Sequence, residues 1–215
     1  DEANSRFATY RYWSNNLGEE EHAQGAQHYQ FAYWNNQTVV TDPLMQQRIY
    51  SMTRLHGVTR VTGVSHSCGP GCSDAQALTY DVNANVASKT DFNGNKTCYQ
   101  HDLLRNLELA RVEGFDSAAT CPIDLINYTP PAGSIQRKIT TTWNAGYRLP
   151  AQIDESGRRT TYIHSASGDV LTRTVTDLTV TPNISRTWTY TYNSFGKVLT
   201  ADGPRSDASD ITTYT

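Results

Sequence analysis

Four cysteines in 215 residues are too few for a disulfide scaffold. Charge is scarce too. Asp, Glu, Lys and Arg make up 18% of the chain and its net charge is −3, against a usual charged share of ~25%. Without a basic excess there is no electrostatic footprint for nucleic acid. No apolar run approaches the ~18 residues of a membrane span, and no basic-then-apolar leader of a signal peptide opens the sequence. Glycine-rich phosphate loops leading into a helix are missing, as is a Gly-x-Ser-x-Gly nucleophile elbow. Long amphipathic helical stretches are missing as well. Wholesale disorder is excluded by a 10% aromatic content with small net charge.

What the chain has instead is Thr, Tyr and uncharged polar residues in a strand-like rhythm. Arg158–His164 (RRTTYIH) and Arg186–Tyr192 (RTWTYTY) alternate apolar or aromatic with polar residues, the period of a half-buried strand. Segments starting at Asp42, Asp91 and Asp154 each place a Tyr eight residues later, at Tyr50, Tyr99 and Tyr162. In two of them Gly follows Asp by three, at Gly94 and Gly157, where a turn needs positive φ and the Asp side chain caps it. Tyr80 and Trp143 each stand eleven residues before the next such Asp, and Tyr80 is followed by Asp81. Asp202, ten residues after Tyr192, begins a fourth copy with a longer loop. Tyr50-Ser51, His101-Asp102, His164-Ser165 and Tyr192-Asn193 share a further form: an aromatic or His leads a polar turn, with Gly196 in the last, and an aliphatic strand follows. Residues 102–112 (DLLRNLELARV) have helix-compatible spacing, but the repeat alignment makes them a turn and a strand. Each unit therefore reads as a β-hairpin that buries its face only when stacked on neighbours. The expected fold is all-β, serial antiparallel hairpins in a curved, spiralling sheet. Residues 1–28 match the first repeat weakly, and about 116–135 read as an inserted loop. Asp1 is no initiator Met and Thr215 lies in strand-like sequence, so residues 1–215 are expected to be one repeat segment cut from a longer chain.

Tyr80–Asn85 running into Thr90–Asn95, and Thr187–Leu199, resemble the Rhs/YD-repeat family. The resemblance implies a hollow shell of β-hairpins that encloses a variable C-terminal toxin, in proteins exported by specialised systems. It implies a secreted or cell-surface location and a toxin or cargo polypeptide as partner, beside neighbouring repeats of the same chain. The family's autoproteolytic element contains Asp-Pro-x-Gly-Leu. The Asp-Pro here, Asp42-Pro43-Leu44-Met45, lacks that Gly-Leu, so the protease role does not carry over.

Candidate chemistry is sparse. Cys68-Gly69-Pro70-Gly71-Cys72 fits a zinc hook with His66, but without a second paired hook a Gly/Pro turn or a local Cys68–Cys72 disulfide outweighs it. Cys98 and Cys121 offer a second bridge. Ser65, His66 and Asp74 form no recognisable triad, and Glu19–His22 (EEEH) reads as a solvated turn. Four Asn-x-Ser/Thr sequons, at Asn36, Asn95, Asn127 and Asn183, read as by-products of polar strands. Trp34 and Trp143 are expected to pack in the sheet, whereas Trp13 and Trp188 are candidates for a carbohydrate-binding surface. The expected function is a non-catalytic wall segment of a toxin-enclosing shell, with no metal, no cofactor and no nucleic acid. The alternative is an extracellular module binding carbohydrate or a surface protein. An isolated segment with open sheet edges is expected to self-associate.

Overall fold

The computed structural model describes residues 7–22, 25–67, 75–205, 207 and 209–215. The expectations placed on Cys68, Cys72 and Asp74 lie outside them. Among the described residues there is no α-helix, and seventeen strands follow one another in antiparallel hairpins. The contacts divide the chain into two compact units.

Unit 1, Asp1–Lys96 with Asp116–Ala119, holds β1 (Ala8–Trp13), β2 (Asn16–His22), β3 (Gln27–Trp34), β4 (Gln37–Thr41), β5 (Gln47–Leu55), β6 (Val58–Val64), β7 (Ala77–Tyr80) and β8 (Val86–Thr90). Each pairs antiparallel with the next in a plain meander. Three of its hairpins close with two-residue loops at Ser14-Asn15, Asn35-Asn36 and His56-Gly57. Buried side chains are few: Val39, Val64, Ala75, Ser88 and Thr90. The Ser88 hydroxyl is satisfied by Thr79 Oγ1 at 2.7 Å.

Unit 2, Thr97–Phe115 with Thr120–Thr215, holds most of β9 (Asn95–Asp102) and β10 (Leu107–Asp116). It continues through β11 (Arg137–Trp143), β12 (Pro150–Glu155), β13 (Arg158–His164), β14 (Val170–Asp177), β15 (Ile184–Tyr192), β16 (Val198–Asp202) and β17 (Thr212–Thr213). It too is an antiparallel meander. Residues 102–112 are a strand end, a turn and a strand start, because four residues reverse the chain before Leu107. The densest packing surrounds the long connection between β10 and β11. Leu125 in that connection is fully buried, as are Cys98, Ala110, Val112 and Ile139, with Leu107 and Phe115 nearly so. Cys121 is joined to Cys98 in β9 by a disulfide, Cα to Cα 5.6 Å. Gln100 Oε1 accepts the backbone N–H of Leu125 at 2.7 Å and of Ile126 at 3.1 Å. The ring of Tyr128 lies 5.7 Å from that of Phe115, and Lys138 Nζ donates to the carbonyls of Ile126 and Tyr128. A connection that would otherwise expose its backbone is thus hydrogen-bonded and anchored on β9 and β11.

Candidate functional site

A single turn is reused along the chain. At Asp81 the carboxylate Oδ1 accepts the backbone N–H groups of Asn83 and Asn85, each at 2.9 Å. The Asp81 N–H donates to the Asn85 carbonyl at 2.9 Å, and the Ala84 N–H to the Asp81 carbonyl at 3.0 Å. The same four bonds recur at Asp42, Asp91, Ser165 and Asn193. The first residue must be short and carry an acceptor oxygen, which is why Asp, Asn and Ser fill it. The fourth residue takes positive φ in every copy: Met45 63°, Ala84 62°, Gly94 84°, Gly168 94° and Gly196 75°.

Ahead of these turns sit aromatic residues with a shared task. Tyr80 Oη donates to the Val61 carbonyl at 2.6 Å and Tyr192 Oη to the Val170 carbonyl at 2.8 Å. Trp143 Nε1 donates to the Glu108 carbonyl at 2.7 Å. Each acceptor lies on the preceding strand. A break in register directly before each of the three, as in a β-bulge, re-aims the side chain toward that carbonyl. In unit 2 the dyads His101-Asp102, Trp143-Asn144, His164-Ser165 and Tyr192-Asn193 all lead turns, and alternate turns of a meander fall on one edge. The His101 ring stacks on Tyr99 at 6.4 Å and the His164 ring on Tyr162 at 6.1 Å.

The strands of unit 2 present two unlike faces. Register pairing runs Thr142, Gln152, Thr161, Thr174, Thr187 across five strands in one row. Hydroxyls on this face bond one another, Thr174 to Thr187 at 2.8 Å and Thr176 to Ser185 at 2.9 Å. The opposite row is Thr141, Ile153, Thr160, Val175, Arg186. Charges are paired rather than convergent. Glu155 sits between Arg158 and Arg137, and the hydrogen bond from Arg158 is the main cause that holds its carboxyl below the usual range. Burial pushes the Tyr99 phenol up. Ser65 Oγ and His66 Nδ1 lie 2.8 Å apart, and the same hydroxyl accepts the Ile49 N–H. Among the described residues no three His, Cys, Asp or Glu side chains gather as metal ligands.

No family model and no curated protein matches the chain. Solved structures do match its fold. The crystal structure of TcdB2-TccC3-TEV matches with a TM-score of 0.51 at 13% identity, over 97% of this chain and 10% of that one. That of TcdB2-TccC3-Cdc42 matches with a TM-score of 0.50 at 14% identity, over 97% and 10%. The chain folds like a stretch of TcdB2-TccC3. The likeness, at this identity, is one of fold, and this chain spans about a tenth of the TcdB2-TccC3 chains it matches.

The Asp-to-Tyr spacing does not mark equivalent positions throughout. Asp42 and Asp91 open five-residue turns, but Asp154 lies inside β12. There the hairpin loop is only Ser156-Gly157, with Gly157 at φ 73°, so Asp154 sits before the closing pair Glu155–Arg158 and faces Arg159. Its carboxylate accepts Arg159 Nε at 2.6 Å and Gln152 Nε2 at 2.7 Å instead of capping a turn. Asp202 likewise ends β16, opposite Thr189. Tyr50-Ser51 leads no turn: both lie within β5, where Tyr50 pairs with Thr38 and Val64. Tyr99 is half-buried in β9, and Tyr162 faces Arg173 from β13. Glu19–His22 is strand, not turn, with Glu19 bonded to Arg11 at 2.6 Å. Among the tryptophans, Trp143 is packed, but Trp34 is 61% exposed. Trp188 is half-buried beneath the Arg173 guanidinium, 4.9 Å from its ring centre. Asp-to-Tyr spacing does not group Asp102, Asn144, Ser165 and Asn193; the aromatic-or-His-then-polar form does for His101-Asp102, His164-Ser165 and Tyr192-Asn193, and Trp143-Asn144 joins them.

Proposed function

We propose that the chain is a non-catalytic wall segment of a larger Rhs/YD-type shell that encloses a polypeptide cargo, a C-terminal toxin in the simplest case. The observation that carries this reading is the serial hairpin with its capped turns, which builds sheet strand after strand. The likeness in fold to TcdB2-TccC3, whose chain is about ten times longer, supports it. The hydroxyl row of unit 2 supports it further. On that face Thr174 bonds Thr187 and Thr176 bonds Ser185, so part of the hydroxyls' hydrogen-bonding capacity is spent within the wall rather than on a confined polypeptide. The role is steric: the wall keeps the cargo away from solvent and proteases until delivery. We place the protein outside the cytoplasm or at the cell surface, and the Cys98–Cys121 disulfide fits an oxidising compartment.

The test uses the parent chain with and without residues 1–215. With the segment present, limited proteolysis should spare the cargo. Its deletion should leave the cargo digested at the rate of the free polypeptide. Equal digestion in both would end this reading.

A further inference from the structure

Trp34 stands apart from the other indoles. Trp143 spends its N–H on Glu108, and Trp188 lies under a guanidinium. The Trp13 ring covers Gly18 so closely that a Cβ there would meet its Cε3 at 2.3 Å. Trp34 has no such partner among the described residues, and it projects from the two-residue tip of the β3–β4 hairpin beside Tyr33, which is also exposed. Grooves of about 590 and 430 Å³ flank this tip, within the ~300–1,000 Å³ of small-ligand sites.

The groove walls specify a ligand class. Beside Trp34, and Tyr33 on the opposite face of β3, they carry Met52, the amides of Asn35, Asn36 and Gln37 and the hydroxyls of Ser51 and Thr53. Arg54 is the one charged side chain lining them, and its Nε is turned to the Gly57 carbonyl at 3.3 Å. Amides and hydroxyls each donate and accept. A flat ring beside such groups suits a molecule with an apolar C–H face and a rim of hydroxyls, and no net charge is called for. We propose that the Trp34 hairpin tip binds an uncharged pyranose saccharide, with the sugar stacked on the indole and its hydroxyls bonded to the Asn35–Asn36 side. Tyr12-Trp13-Ser14-Asn15 repeats the tip at β1–β2, with Trp13 56% exposed over its free face. As alternate turns of one meander, the two tips share an edge of unit 1, so the second platform extends the site for a longer oligosaccharide. This proposal does not rest on the shell reading.

The test screens the full chain against immobilised neutral oligomers of glucose, galactose and N-acetylglucosamine, then titrates the best-bound oligomer in short and long forms. Trp34→Ala should weaken binding roughly tenfold or more, the equivalent of losing one good stacking contact. Trp34→Tyr, which keeps a ring, should retain most of it, and Asn35→Ala should weaken it several-fold. Trp13→Ala should cost more with the long oligomer than with the short one. Absence of binding to every oligomer, binding unchanged in Trp34→Ala, or a proline-rich peptide taking the groove in place of sugar would overturn the proposal.

Discussion

In unit 1 the side chains that leave solvent are Val39, Val64 and Ala75, with two hydroxyl residues, Ser88 and Thr90. In unit 2 they are Cys98, Leu107, Ala110, Val112, Phe115, Leu125 and Ile139, with one hydroxyl residue, Thr160, and most of the apolar ones gather round a long connection fastened by Cys98–Cys121. Both units use the same capped turn, so the turn does not explain the difference. A two-stranded ribbon has one side chain in two on each face and no third layer to cover it. The connection between β10 and β11 supplies that layer in unit 2. The repeat therefore gives register and backbone hydrogen bonds, and the departure from the repeat gives the core.

This contrast is easiest to break at Leu125. Leu125→Ala should cost about 3 kcal/mol, as large-to-small changes at buried leucines do. Hydrogen exchange should show the loss in β9–β11 while β3–β5 keep their protection. Equal loss in both units would mean that they unfold together and that the core is shared. Replacing Cys98 and Cys121 by Ser should cost about 3 kcal/mol on the chain-entropy account for a loop of this size. Reductant should reproduce the effect, read as a lower urea midpoint confined to unit 2.

The hairpin series was legible because strand alternation and turn residues are local properties. Asp91 through Asn95 reads as a turn in sequence and is one, since the capping oxygen, the Gly94 φ and the closing bond lie within five residues. Asp154 through Gly157 has the same Asp-to-Gly spacing and makes a different hairpin. Which pair closes a loop depends on the cross-strand partners, here Glu155 with Arg158, and spacing does not carry that information. The Trp34 site was hidden for a related reason. Trp34 and Trp143 occupy similar places in the sequence pattern, but only Trp143 has a carbonyl on a preceding strand, that of Glu108, within reach of its indole.

The turns allow a finer comparison. Unit 1 places Met45, Ala84 and Gly94 at the positive-φ position, whereas the five-residue turns of unit 2 place glycine, Gly168 and Gly196, in both. A left-handed conformation costs an L-residue with a Cβ about 1 kcal/mol or more. Ala84→Gly should thus be neutral or stabilising by up to about 1 kcal/mol, and Gly196→Ala destabilising by about the same, both by equilibrium denaturation. Destabilisation by Ala84→Gly would mean that the methyl group packs usefully and that the two units do not differ here.

The smallest expected effect separates the units by acid. The five-residue turns of unit 1 are capped by Asp42, Asp81 and Asp91, those of unit 2 by Ser165 and Asn193, which do not titrate in this range. The Asp91 carboxyl is held below its usual value of ~3.9, first by the Asn95 side-chain amide and further by the backbone N–H groups of Asn95, Asn93 and Gly94. A carboxyl depressed in the folded state binds its proton more readily when unfolded. Its contribution is therefore complete above ~3.9 and is lost as pH falls through the lower folded value. Amide exchange at Asn95 should speed up in that window while that at Lys197, in the matching place of the Asn193 turn, keeps its protection. Asp91→Asn should remove the pH dependence at Asn95 and keep the turn, because Asn193 shows that an amide oxygen accepts the same two bonds.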